Sequence, residues 1–203
     1  MEEHEKRPVG GKRLAPESRG GFWNNWGYLI VTVAVIVVLF KVIFQLSWVP
    51  SGSMETTIPT KSLLVGWRLP YLVSDPAPQR GSIVTFWDEE MGHVLVKRVV
   101  GLPGETVSFE GGFVYINGEK LDEDYLPVSG ITQSEKDTFQ VPEGCIFVMG
   151  DNRNHSSDSR SSDLGTVDTR YVIGRAVFLL FPGADETTGE RDFGRIGGID
   201  RIG

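Results

Sequence analysis

The sequence predicts a mainly β, antiparallel domain carried on one N-terminal membrane-crossing helix. Three observations predict it. The chain has a single long apolar run, Trp26 to Phe44, broken only by Gly27, Thr32 and Lys41. Beyond it, short runs of β-branched and aromatic residues recur between turn signals rich in Gly, Pro, Asn and Asp. Outside the anchor, no stretch carries a convincing helical periodicity.

Composition narrows the function classes. The 203 residues fit one domain plus an anchor and a small insertion. With 25 Gly and 11 Pro beside 40% hydrophobic residues, the chain is turn-rich and globular rather than a helical bundle. A net charge of −7 gives a nucleic-acid role no support. The one cysteine, Cys145, excludes an intramolecular disulfide and a metal-thiolate cluster. It sits in the apolar run Cys145-Ile146-Phe147-Val148 and reads as a small core residue.

Residues 1–25 are polar and hold Lys6, Arg7, Lys12, Arg13 and Arg19; they are expected to be a disordered cytoplasmic segment. The anchor is placed at 26–46. At about 1.5 Å per residue its apolar run covers about 28 Å, close to the roughly 30 Å of a hydrocarbon core. Trp23, Trp26, Tyr28 and Trp48 flank it as interfacial aromatics, and Lys41 can snorkel. A cleavable signal peptide fits less well, because the polar lead is long, the apolar core exceeds an h-region and no small-x-small site follows cleanly. The cluster of basic residues before the span, against Lys61 alone just after it, places the N-terminus in the cytoplasm and the bulk of the chain outside. That outer part is acidic on balance, which argues against adhesion to anionic headgroups.

The extracytoplasmic domain is placed at 47–182. Strands are expected at Leu63–Trp67, Ile83–Trp87, Val94–Val100, Thr106–Phe109, Phe113–Ile116, Thr138–Val141, Ile146–Met149 and Tyr171–Phe181. Glu110-Gly111-Gly112 and Asn117-Gly118 supply turns, and Ser74 to Gly81 reads as a loop. Residues from about 105 to 140 form a small accessory β insertion, within which Leu121 to Asp137 is a polar surface excursion. The tail, 183–203, rich in Gly and charge, is expected to be loose.

Chemistry centres on Pro50-Ser51-Gly52-Ser53-Met54, directly beyond the anchor. A serine there suggests a nucleophile held at the bilayer surface, and a serine hydroxyl needs a neighbour to take its proton. His4 lies on the wrong side of the membrane. His93 and His155 could join an aspartate in a triad, although His155 sits in a polar loop and reads better as a solvated loop histidine. Lys97 is the other candidate. In its strand it shares a face with Leu95 and Val99, while Val94, Val96, Arg98 and Val100 share the other. Either it snorkels from a sheet edge, or burial lowers its pKa so that the neutral amine serves as a base. The stretch Gly150 to Arg160 is dense in small polar groups. Its two Asp-Arg pairs and hydroxyls could hold a buried lysine, and a solvated surface loop fits it too.

These residues resemble the type I signal peptidases, the bacterial leader peptidases, which are membrane-anchored Ser/Lys endopeptidases. Four blocks match in the expected order: Ser51-Gly52-Ser53-Met54; Arg80-Gly81-Ser82-Ile83-Val84; Lys97 to Gly104; and Gly150-Asp151-Asn152-Arg153 with Ser156, Asp158, Ser159 and Arg160. The resemblance implies an antiparallel β-sheet catalytic domain of signal-peptidase type. It implies Ser53 as nucleophile and Lys97 as general base, with an oxyanion hole made by the Ser53 backbone N–H and the Ser51 hydroxyl. Ser156 would orient the lysine amine, an Asp158–Arg160 ion pair would brace the site, and Asp151 and Arg153 would support it. Val49, Pro50, Met54, Ile58, Leu95 and Val96 match positions lining a shallow apolar pocket for the residue before the cut, which implies Ala-x-Ala-like sites in extended substrates. No cofactor or metal is implied. The implied partners are signal peptides of exported preproteins, the lipid bilayer and the nearby export machinery, at a bacterial plasma membrane crossed once. In one departure, many members carry proline two residues after the methionine, where this chain has Thr56, with Pro59 following later.

Two other readings remain. Self-cleaving repressor-type proteases share the dyad but are soluble, and the anchor speaks against them. A noncatalytic, membrane-tethered β module that binds exported chains or envelope partners would make Lys97 an ordinary surface lysine.

Overall fold

The computed structural model describes residues 21–55, 57–73, 78–127, 131–185 and 188–199. The chain divides into two compact units, the helix up to Leu39 and the chain from Phe40 onward. In the first, α1 (Gly21–Ile43) begins five residues before the span read from sequence, so 21–25 are helical. Its 23 residues reach about 34 Å, enough for a bilayer core. Among the described residues it is the one helix long and apolar enough to cross a membrane. The anchor assigned to 26–46 ends earlier than expected: Phe44, Gln45 and Leu46 are strand, because their backbone pairs in register with Val65 to Trp67.

In the second unit the strands are β1 (Phe44–Trp48), β2 (Leu63–Trp67), β3 (Ile83–Asp88), β4 (His93–Gly101), β5 (Thr106–Glu110), β6 (Phe113–Ile116) and β7 (Glu119–Lys120). They continue as β8 (Thr138–Gln140), β9 (Cys145–Met149), β10 (Val167–Asp168), β11 (Val172–Phe181) and β12 (Gly197–Gly198). A short helix, α2 (Leu69–Val73), which the sequence did not suggest, follows β2. Antiparallel pairing builds a large sheet in the order β1-β2-β11-β3-β4-β9-β10, with β12 on β11, and a smaller sheet β7-β6-β5-β8. The mainly β, antiparallel class read from the sequence is the observed one.

β4 explains how one sheet holds the site. Its side chains feed three apolar clusters. Val96 packs with Val49, Met54, Ile58, Leu64 and Ile83; Val99 with Val84, Phe86, Ile146 and Val148; and Val100 with Val107, Val114, Phe147 and Met149. Alternation along β4 accounts for Val96 and Val99, and a shift of register against β9 between Val99 and Gly101 carries the strand across to the smaller sheet. Each fully buried Val or Ile contributes about 1.5–3 kcal/mol, so β4, walled on both faces, is a rigid mount for whatever polar groups it carries.

The tail corrects an expectation. It is not loose between 188 and 199: Gly197 and Gly198 pair with Leu179 and Phe178, Ile199 is buried in the cluster of Met54 and Ile58, and Arg195 Nη2 donates to Thr57 O at 2.7 Å. Its route is tight at Gly183, where a Cβ would fall 1.6 Å from Thr60 O. Only glycine passes there.

Candidate active site

Ser53 sits in a single 3-10 turn, Gly52–Met54, that follows β1. Fully buried Met54 pulls the turn onto the core, and Val49 and Ile58 beside it are likewise buried. The chain beyond is pinned by Glu55, whose Oε2 accepts the Thr60 N–H and hydroxyl, each at 2.9 Å. Thr56, the departure from the usual proline, lies outside the described residues. Ser53 is 9% exposed, and its hydroxyl lies 3.4 Å from that of exposed Ser51.

Lys97 is not a snorkelling edge lysine. It is 2% exposed in the middle of β4, between paired β3 and β9. Its Nζ donates to Ser156 Oγ at 3.1 Å. Burial lowers its pKa to about 8; Asp158 and Asp151 pull it back up, and Arg160 pushes it down. Asp158 is nearly fully buried. Burial raises its pKa, but the Arg160 guanidinium, the Gly150 N–H and Ser156 outweigh that and hold it ionised, below the usual carboxylate range. Arg160 bonds both its oxygens at 2.8 Å.

Gly150 is where the parts meet. A Cβ on it would lie 2.2 Å from Ser156 Oγ and 2.4 Å from the Ser53 carbonyl oxygen. The lysine's partner and the serine's backbone therefore both close on the space a side chain would take at this α-carbon, which only glycine leaves free. Asn152 completes the clasp: its N–H donates to Ser53 O at 3.0 Å and its Nδ2 to Gly52 O at 2.9 Å. The sequence had assigned Asn152 and Gly150 no role. Their signal was available in the Gly-Asp-Asn-Arg block, but not the contact across about a hundred positions that gives it meaning.

Other expected residues fall differently. Asp151 does not pair with Arg153. It takes Arg98 Nε and Nη2 at 2.8 and 2.7 Å, while Arg153 donates to Gly150 O at 3.1 Å and to Glu123. Alternation along β4 points Lys97 and Arg98 to opposite faces, so one strand reaches the polar loop with both cations. Among the six pocket positions, Val49, Met54, Ile58 and Val96 share one core cluster, Leu95 packs against another and Pro50 is exposed. His155 is exposed, and exposed His93 bonds Met91 O at 3.1 Å. Among the described residues no histidine or carboxylate bonds the Ser53 hydroxyl.

The sequence matches the family "Signal peptidase, peptidase S26" over residues 23–181. The chain belongs to that family. It is similar to "Probable signal peptidase I-1" of Synechocystis sp., 34% identical over 78% of this chain and 82% of the relative. It is also similar to "Signal peptidase I" of Bacillus caldolyticus, 34% identical over 82% of this chain and 93% of the relative. The crystal structure of a signal peptidase I from Enterococcus faecalis, 39% identical, covers 49% of this chain and 97% of its own, with a TM-score of 0.43. Membership makes the chain a peptidase, and α1 fits a membrane protein of this family.

Proposed function

We propose that the chain is a membrane-bound serine endopeptidase that removes N-terminal signal peptides from exported preproteins, cutting after small residues. Ser53 is the nucleophile and neutral Lys97 the general base. The observation that carries this reading is the buried Lys97 amine, held at about 8 and bonded to Ser156, beside the glycine onto which the Ser53 turn closes. The neutral amine takes the Ser53 hydroxyl proton as Oγ attacks the scissile carbonyl. The oxyanion is met by the Ser53 N–H and the Ser51 hydroxyl. The resulting ammonium returns its proton to the leaving amine, and the amine then activates the water that releases the acyl-enzyme. Asp158 and Arg160 fix Ser156, Asp151 and Arg153 brace the same loop, and Val49, Met54, Ile58 and Val96 form the apolar floor for the residue before the cut, with Pro50 and Leu95 at its margins. The N-terminus lies in the cytoplasm and the β domain outside, tethered to the bilayer by α1 and near the export machinery.

The test is a preprotein bearing an Ala-x-Ala site, incubated with full-length protein in detergent and lipid, with the cut located by mass spectrometry. Cleavage after the small residue, reduced by at least about 10⁴-fold in Ser53→Ala and Lys97→Ala, is expected. Cleavage that survives either change sinks the dyad. No cleavage by folded wild type across several substrates favours a binding module instead.

A further inference from the structure

In the polar excursion expected at the surface, the described residues 121–127 and 131–137 include several that bond the loop that carries Ser156. Arg153, 4% exposed in that loop, uses its guanidinium in two directions. Nε donates to Gly150 O at 3.1 Å, at the residue that Ser53 and Ser156 enclose. Nη1 donates to Glu123 Oε2 at 3.1 Å and Thr132 Oγ1 at 3.0 Å; Nη2 donates to Glu123 Oε1 and, at 3.3 Å, to the Tyr125 hydroxyl. The Tyr125 hydroxyl in turn donates to Glu123 Oε1 at 2.8 Å. The Tyr125 ring lies 3.8 Å from the Arg98 guanidinium carbon, on the ion pair that holds Asp151. Arg160 reaches the same excursion through Gln133 O at 2.6 Å. Arg98, Arg153 and Arg160 are therefore each tied to described residues of the connection between β7 and β8.

We propose that Glu123 and Tyr125 are positioning residues for the Ser53/Lys97 chemistry, acting through Arg153 and Arg98 to hold Gly150 and Ser156 in register with the serine turn. The proposal rests on the peptidase reading above. Without the Glu123 carboxylate, Arg153 loses the anion it bonds and keeps only Asp151, already engaged by Arg98, so the buried cation leaves the site for water. Its bond to Gly150 O goes with it, and Ser156 loses its fixed distance to the lysine amine. A displacement of about 1 Å at reacting groups costs up to about 100-fold in rate. Substrate affinity, set by the apolar floor around Met54, does not depend on this chain of bonds.

The test is steady-state cleavage of the Ala-x-Ala preprotein by full-length wild type, Glu123→Gln, Tyr125→Phe and the double variant Glu123→Gln/Arg153→Met, with melting temperatures and with Ser53→Ala as control. Glu123→Gln should lower kcat by up to about 100-fold with KM within about twofold. Tyr125→Phe, which keeps the ring on Arg98, should lower kcat about fivefold, the scale of one hydrogen bond. The double variant, relieved of its unpaired buried charge, should regain melting temperature without regaining kcat. Recovery of kcat together with stability would show a structural role only and overturn the proposal, as would wild-type kcat in Glu123→Gln. If Glu123→Gln does not fold, Tyr125→Phe decides: unchanged kcat overturns it. Cleavage that persists in Ser53→Ala overturns the peptidase reading and the positioning role with it, whereas loss in Ser53→Ala beside full activity in the Glu123 and Tyr125 variants overturns positioning alone.

Discussion

Lys97 and Arg98 are neighbours on β4 and almost equally hidden, at 2% and 7% exposure, yet the two faces of the strand treat them oppositely. Arg98 meets a full set of acceptors: both Asp151 oxygens, Gly81 O at 2.8 Å and the face of Tyr125. Lys97 meets a hydroxyl at 3.1 Å, and its carboxylate neighbour Asp158 is already engaged by Arg160. A buried cation with a dedicated anion keeps its charge and braces the fold; one offered only a hydroxyl tends to give up its proton. The difference between a brace and a base here lies in the partner. Burial is common to both.

The sharpest way to break the comparison is to make the two positions alike. Lys97→Arg keeps the charge but replaces a group that can lose a proton with one that cannot, so cleavage should fall by at least about 10⁴-fold. Appreciable activity in that variant would end the assignment of Lys97 as base. Next in size is Asp151→Asn, which deprives Arg98 of its anion. Breaking a buried pair from one side costs about 3–5 kcal/mol, to be read as a drop in denaturation midpoint. Because Asp151 also raises the Lys97 pKa, the same variant should move the acidic limb of the activity profile to lower pH. An unchanged midpoint and limb would show that the pair is ornamental. The mildest test needs no substitution. The neutral amine is the active form and its pKa is lowered to about 8. Activity on kcat/KM should therefore be level above that pH and fall about tenfold per unit below it. A profile flat down to pH 6 would mean that a different group takes the proton.

Much of the fold was legible because its signals are local. Apolar length marked α1, and alternation bounded by Gly and Asn-Gly turns marked most of the strands, often to within a residue. β1 was hidden inside the anchor, since Phe44 to Leu46 is apolar enough for either role and only pairing with β2 decides between them. The tail was misread for the converse reason: Gly and charge look like a solvated end, but Ile199 reaches the core and Gly183 is needed by a close crossing. The loop 150–160 shares that polar composition and also packs inward, with Asp151, Arg153, Asp158 and Ser159 all nearly fully buried. Composition cannot separate a solvated loop from one whose polar groups satisfy each other, because the partners lie far away in sequence.

By itself the sequence determined which residues are chemically able to act: a serine at the end of an apolar span, a lysine flanked by valines and leucine, and a loop rich in aspartate, arginine and hydroxyls. It also determined the anchor and the alternation that points Lys97 and Arg98 to opposite faces. Only the tertiary structure decided which arginine each aspartate takes, that Gly150 must be bare of a side chain, and that the smaller sheet's excursion supplies Glu123 and Tyr125 to the site. The physical reason is that periodicity is a property of consecutive residues, whereas desolvation and pairing depend on what distant parts of the chain bring to the same few ångströms.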